Sequence, residues 1–184
     1  RQVEKMTDEE KYTELSRGKR LASNLIGACG LLACGGVLLA FGIAGESIGV
    51  SVIDLIAPVA LLSVGLVLLS TALIQRNTVS MYLSFLFLVP ALVSFLANLT
   101  EMTYSMLYPL YIATPAIASL FTMFMSGEYK FHIRIILVFA VPAVFFALFA
   151  AEIWTVGVLV PAIIMYAGLL ALYSALSASA ASEE

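Results

Sequence analysis

Six long apolar stretches constrain the fold of this chain more than any other feature of its sequence. They cover residues 21–44, 54–74, 79–97, 103–125, 131–151 and 153–173. Each is close to the roughly 20 residues that a helix needs to cross the hydrocarbon core of a bilayer. Because 62% of the residues are hydrophobic and only 11% are charged, the chain has too little polar surface to cover a water-soluble globule. The sequence therefore predicts an integral membrane protein.

Helices are predicted for all six stretches, because a helix satisfies every backbone N–H and C=O group within its own segment. The alternation of apolar and polar residues that marks a transmembrane β-strand is not visible. The predicted fold class is all-α, with six transmembrane helices. The first stretch follows a hydrophilic segment without a small-residue cleavage site, so we expect it to be retained in the membrane.

The charged residues predict which connections face the cytoplasm. Lys and Arg occur before the first stretch, at Arg76 after the second, and at Lys130 and Arg134 around the start of the fifth. The alternate connections carry acidic residues instead, namely Glu46, Asp54, Glu101 and Glu152. By the positive-inside rule, both termini are predicted to lie in the cytoplasm and the acidic turns outside. The expected location is a bacterial inner membrane.

The charged flanks also repeat. Arg20, Arg76 and Lys130 are 56 and 54 residues apart, and the acidic turns recur with nearly the same spacing. A repeated unit of this length predicts three copies of one helical hairpin. The predicted organisation is a cytoplasmic segment with a short helix at 1–20, hairpins at 21–76, 77–129 and 130–176, and a cytoplasmic tail at 177–184.

Two local expectations concern the ends of the chain. Thr7 and Glu10 form a capping-box pattern, which predicts a short helix to about Ser16. Gly18 is expected to break that helix before the first span, and the final "SASAASEE" is expected to fray. All six prolines lie within predicted spans, where we expect them to bend helices without ending them: Pro58, Pro90, Pro109, Pro115, Pro142 and Pro161.

Small residues form a seam along the first stretch. Ser23, Gly27, Gly30 and Cys34 are spaced by 4, 3 and 4 residues, which places them on one helix face. Such residues let two helix backbones approach closely in lipid. The seam is expected to pack within the chain or, alternatively, against a partner protein or a second copy. The sixth span has a similar stripe of small residues: Gly168, Ala171, Ala175 and Ala178.

The acidic turns are the nearest approach to a binding constellation. If the hairpins pack around one centre, Glu46, Asp54, Glu101 and Glu152 form a negatively charged mouth that attracts cations or basic peptides. The alternative is that short outer loops simply retain acidic residues. Mid-span hydroxyls either line a polar path or bond to their own helices: Ser63, Ser84, Ser94, Thr114, Ser119 and Thr122.

The sequence predicts no catalytic group, metal ligand set or cofactor. No metal-binding, nucleophile–base or phosphate-binding motif is found, so we expect a protein that is not an enzyme. His132, the only histidine, is expected to face lipid headgroups beside Arg134. Cys29 and Cys34 are predicted to point to different faces of one helix, which excludes a disulfide between them.

Two hairpins resemble a known type of membrane hairpin. They contain "GLLACGGVLLAFGIAGESIGVSVIDLIAPVALLSVGLVLL" and "EIWTVGVLVPAIIMYAGLLAL". The first, with a glycine-spaced span, a small outer turn and a span carrying a proline, resembles the hairpin of bacterial LiaI/LiaF-type envelope-stress proteins, and the third is similar. The layout of three hairpins in about 180 residues also resembles HdeD-type acid-resistance membrane proteins. The resemblance implies a role in maintaining the cell envelope.

The function expected from these features is that of a non-enzymatic accessory or regulatory subunit, acting through protein or lipid contacts. Its expected partners are membrane lipids and either a membrane protein or a second copy, and no nucleic acid. Two alternatives remain open, a small-solute transporter or the substrate-binding membrane subunit of one, and an oligomeric channel.

Overall fold

The structure of the chain, a computed structural model, describes residues 8–48, 52–100 and 103–181. Within these ranges all regular secondary structure is helical: α1 (Asp8–Ile48), α2 (Val52–Gln75), α3 (Thr78–Leu99), α4 (Tyr104–Ser126), α5 (Tyr129–Ala150) and α6 (Val156–Ala181). Each helix contains a segment long and apolar enough to cross a membrane. The prediction of an all-α fold with six such helices is confirmed.

Two expectations about the chain ends were wrong. The first helix, α1, is continuous through Gly18, although that residue was expected to break it. One glycine weakens a helix by only about 1 kcal/mol, which the strong helix formers around it offset. At the other end, α6 continues to Ala181, so most of the expected frayed tail is helical. Alanine is the best helix former, and alanines alternate with serines there. The expected cap Thr7 lies outside the described residues.

At 41 residues, α1 is about 61 Å long at 1.5 Å per residue. This is about twice the thickness of a bilayer's hydrocarbon core. The apolar segment of α1 is Arg17–Ala40, so the helix extends past its own candidate span at both ends. The six prolines all lie inside helices that continue past them.

Three of the connections use a residue with left-handed backbone conformation. Arg76 between α2 and α3 has φ 52°, Gly127 after α4 has φ 72°, and Glu152 after α5 has φ 59°. At the first of these turns the Asn77 N–H donates to the Ala72 carbonyl at 3.1 Å. This hydrogen bond holds Asn77 against the last turn of α2. The chain thereby reverses direction within two residues, between the end of α2 and the start of α3.

The helices form an open series rather than a closed bundle. Among the described residues, each helix packs only against its neighbours in sequence. The contacts of α2 with α3 and of α4 with α5 are the most extensive, and those of α5 with α6 are the smallest. The first and last helices, α1 and α6, therefore do not meet within the described part of the chain.

The core lies in the middle of this series. Of the most apolar segment of each helix, 39% is buried in α4 and 33% in α2, but only 6% in α5 and α6. Between α3 and α4, the rings of Phe85 and Phe121 stack with centroids 4.0 Å apart. Farther along the same interface, the hydroxyls of Ser94 and Tyr111 share a hydrogen bond of 3.0 Å.

Candidate functional site

The small-residue seam of α1 faces α2. Ser23 and Cys34 are buried, and the hydroxyls of Ser23 and Thr71 share a hydrogen bond of 3.1 Å. A Cβ atom on Gly27 would lie 3.4 Å from a methyl group of Val67, and one on Gly30 would lie 4.0 Å from Leu66. The structure thus brings these residues together along an interface within the chain.

The two cysteines of α1 have different surroundings. Cys34 belongs to the buried seam, whereas Cys29 is exposed, and both are free thiols. The five-residue spacing predicts this difference, since it rotates the side chain by about 140° around the helix.

The acidic residues do not form one group where the structure describes them. Asp54, in the first turn of α2, and Glu152, between α5 and α6, are both exposed, and α2 does not contact α5. The side chain of Glu46 and the whole of Glu101 lie outside what the structure describes. The open helix series also gives the described turns no common centre around which a negatively charged mouth would close.

A polar junction that the sequence analysis missed lies near Asp54. The Asn98 side chain donates to the Asp54 carbonyl at 2.6 Å and accepts from the Tyr104 hydroxyl at 3.1 Å. One amide thereby joins the start of α2, the end of α3 and the start of α4. An amide suits this position because it has both a donor and an acceptor. The junction joins three helix ends, so we assign it a structural role.

Most mid-span hydroxyls bond to their own helices and do not line a path. Four of them donate to a carbonyl three or four residues earlier, namely Ser63, Ser84, Thr114 and Thr122. Ser94 bonds across to α4, and the buried Ser119 hydroxyl has no partner in the described chain. Bonding to the preceding turn is the usual solution for hydroxyls in apolar surroundings.

A cavity with a partly polar lining lies at the end of the helices where Arg76 and Lys130 are found. It has a volume of about 610 Å³ and opens between the start of α3, the end of α4 and the start of α5. Its polar lining comes from six residues, namely Thr78, Tyr82, Thr122, Ser126, Glu128 and His132. We call it the His132 cleft. Its volume is within the range of about 300–1,000 Å³ that is common for small-molecule sites.

His132 is buried in this cleft, contrary to the expectation that it faces headgroups. Only 5% of the residue is exposed, and its Nδ1 atom is enclosed without a hydrogen-bond partner in the described chain. The residue lines the cleft. Buried polar atoms are normally paired, so the unpaired nitrogen makes His132 a candidate for a role beyond packing.

Glu128 supplies the only carboxylate of the cleft lining, which has no Lys or Arg. It is the N-cap residue of α5, yet its side chain does not cap the helix. Its backbone N–H donates to the Ser126 hydroxyl at 3.2 Å, which fixes the turn while leaving the carboxylate available. No ion pair to Glu128 is found within the described ranges. The cleft therefore contains an uncommitted negative charge.

The burial of His132 has a sequence signal that a motif search does not use. Ile136, Ala140, Ala143 and Ala147 continue from His132 at helical spacing, and they line the groove between α5 and α4. Since small residues mark the packed face of a membrane helix, extending this stripe backwards would have predicted that His132 faces α4. The described residues contain no cluster of three His, Cys, Asp or Glu side chains that could hold a metal ion.

Comparison with known proteins assigns no function to this site. The chain matches no family model, and neither the curated proteins nor the solved structures include a significantly similar chain.

Proposed function

We propose that this protein is a non-enzymatic subunit of a bacterial inner membrane, with an accessory or regulatory role exerted through contacts of its helix faces. The observation that carries the proposal is the exposure of α6. Ile164, Met165 and Leu169 are 66%, 69% and 62% exposed, and α5 is the only described helix that α6 contacts.

The surface of α6 suits a second protein chain. Gly168 has no atom within 4 Å of the position its Cβ would occupy, and Ala171 is exposed. Lipid tails are as apolar as leucine, so membrane helices associate mainly through close packing at small residues. Gly168 and Ala171 thus have an open surface in the described chain, and we propose that a membrane protein or a second copy covers it.

Lipid contact is a further part of the proposal, at the groove between α5 and α6. This groove has a volume of about 140 Å³ and is lined by Arg134, Leu137, Leu170 and Tyr173 among others. An exposed guanidinium beside apolar side chains suits the phosphate and the first part of an acyl chain of a phospholipid.

The orientation in the membrane and the cellular role rest on the sequence. The distribution of basic residues supports cytoplasmic termini, and the spacing of the charged flanks supports three repeated hairpins. The resemblance to LiaI/LiaF-type and HdeD-type proteins supports a role in envelope maintenance.

A small-solute transporter, or a substrate-binding subunit of one, is the second candidate, and the His132 cleft favours it. A channel ranks third, because the open helix series surrounds no pore within the described residues and several copies would be needed to form one.

Photocrosslinking in native membranes tests the leading proposal. A photoreactive amino acid at Ile164, on the same helix face as Gly168 and Ala171, is expected to give a covalent adduct with another polypeptide. Leu169 is exposed on a neighbouring part of the α6 surface and is the second position. The same amino acid at Gly35, an open position on α1, is the control for random collision. Lipid adducts alone at both α6 positions would refute the subunit proposal.

A further inference from the structure

The His132 cleft contains two polar side chains, His132 and Glu128, for which the described residues provide no side-chain partner. His132 is only 5% exposed, and its Nδ1 atom has no hydrogen-bond partner in the described residues. The Glu128 carboxylate does not cap α5, and it forms no ion pair with a described basic residue. We propose that this cleft binds an organic ammonium group attached to an apolar body. Such binding requires neither a partner chain nor transport, so it is independent of the function proposed above.

The charge of the cleft selects a cation. Glu128 is the only charged residue in the lining, although Lys130 and Arg134 are close in sequence. Both of these bases are exposed and neither lines the cleft. A carboxylate at the membrane interface is screened less than in water. An ammonium group is therefore favoured there over a carboxylate or phosphate.

Aromatic and imidazole groups fit the same chemistry. Tyr82 on α3 and Phe131 on α5 both line the cleft, and aromatic faces attract alkylammonium groups. His132 lines the cleft as well. A neutral imidazole has one acceptor nitrogen, which suits an N–H of a primary or secondary ammonium.

The remaining lining fits an apolar body. Val79, Leu83, Met125 and Ile135 complete the walls, and methionine adapts its shape to different ligands. Two natural sources offer this chemistry, the headgroup of phosphatidylethanolamine with its acyl chains and a soluble amine with an aromatic or alkyl body. A metal ion is a poor fit, since one imidazole and one carboxylate are too few ligands for a protein metal site.

The test uses the full chain in phosphatidylglycerol nanodiscs and isothermal titration calorimetry with 2-phenylethylammonium. Saturable binding is expected, and 3-phenylpropanoate, which has a similar body and the opposite charge, is expected not to bind. Glu128→Gln is expected to weaken ammonium binding at least tenfold. Glu128 is exposed, so this substitution leaves the helix packing intact.

Glu152→Gln is the matched control, because it removes an exposed carboxylate at the opposite end of α5. Glu152→Gln is expected to bind 2-phenylethylammonium with the affinity of the wild type. Accumulation of cations at the anionic lipid surface affects both variants equally, so it does not explain a difference between them. Equal affinity of Glu128→Gln and wild type, equal binding of the carboxylate probe, or no saturable binding would each overturn the proposal.

A second arm distinguishes the two sources. If phosphatidylethanolamine added to the nanodiscs raises the apparent Kd of the probe, the lipid headgroup occupies the cleft. If the Kd does not change, a soluble amine is the ligand. Both results support ammonium binding and assign its origin.

Discussion

At the scale of single residues, two glycines that look alike in the sequence have opposite surroundings. A Cβ atom on Gly65 would lie 2.7 Å from the Leu88 side chain and 3.1 Å from the Leu88 backbone nitrogen, whereas nothing lies within 4 Å of the corresponding position at Gly168. Gly65 is thus the point at which α2 and α3 approach most closely among the described glycines. The absence of a side chain there permits the approach of a neighbouring backbone.

Gly65→Ala is accordingly expected to destabilise the protein, by about 1–3 kcal/mol, because the added methyl group forces α3 away from α2. Gly168→Ala is expected to leave stability unchanged or to raise it by up to about 1 kcal/mol through helix propensity. Thermal unfolding of both variants in one detergent measures the difference. A Gly65→Ala protein as stable as Gly168→Ala would disprove this account of the α2–α3 interface.

Asn77 is the residue that starts α3. Its side chain accepts hydrogen bonds from the N–H groups of Val79 at 3.0 Å and Ser80 at 3.2 Å. Asn77→Ala is expected to lower the free energy of unfolding by about 1 kcal/mol, the usual effect of losing an N-cap. Asn24→Ala, an exposed change within α1, is the control in the same unfolding assay and is expected to have little effect. An equal loss in both variants would show that the cap does not stabilise α3.

At the scale of helices, the largest interfaces do not coincide with the repeat unit that the spacing of charged residues predicts. The predicted hairpins pair α1 with α2, α3 with α4 and α5 with α6, yet α2–α3 and α4–α5 are the most extensive contacts. The short turns at Arg76 and Gly127 hold these pairs together. In the third predicted pair, Phe145 of α5 contacts the rings of Tyr166 on α6 and of Trp154 just before it, and the Tyr166 hydroxyl donates to the Leu137 carbonyl. A repeat in sequence therefore need not be a unit of packing.

The contact of α1 with α2 depends on Gly27. Replacing Ser23 and Thr71, whose hydroxyls are 3.1 Å apart, with cysteines is expected to give an efficient disulfide when Cys29 and Cys34 are changed to alanine. Adding Gly27→Leu should abolish this disulfide, because the larger side chain collides with Val67. Gly35→Leu, at an open position of the same helix, should not. Non-reducing electrophoresis measures the crosslink. Retention of the disulfide in Gly27→Leu would contradict the seam geometry.

At the scale of the whole molecule, the open series of helices determines which surfaces remain available. A closed bundle of six helices would bury one face of each helix. Here α5 and α6, the last two helices of the series, have only 6% of their most apolar segments buried, although they are as apolar as the central ones. Lipid or another protein must cover the rest, since apolar surface of this extent is not stable in water.

The alternation of the helices places residues 76 and 152 at opposite ends. In a protein with Cys29 and Cys34 replaced by alanine, Arg76→Cys is expected to react with a membrane-impermeant maleimide only after permeabilisation. Glu152→Cys is expected to react in intact spheroplasts, because the positive-inside rule assigns it to the outer side. Labelling of both residues from the same side would invalidate the six-span topology, whereas exchanged labelling would reverse only its orientation.

The sequence by itself determined the six helices that are long and apolar enough to span a membrane, and the positions of most of their ends. Hydropathy is summed along a segment, and a run of about 20 apolar residues has few other structures available to it. The seam of Ser23, Gly27 and Cys34 was also visible, because helical spacing is a local property. The local rules for helix ends gave wrong predictions at Gly18 and beyond residue 176. There the free-energy cost of one poor helix former is smaller than the gain from continuing the helix.

Only the tertiary structure decided which helices touch and which side chains meet in a cavity. Lipid tails and a protein core are equally apolar, so hydrophobicity does not distinguish the packed face of a membrane helix from its lipid face. For this reason the sequence did not predict the open helix series or the separation of Asp54 from Glu152. The burial of His132 beside Glu128 was missed for the same reason, since it depends on how α4 packs against α5 and on the turn between them.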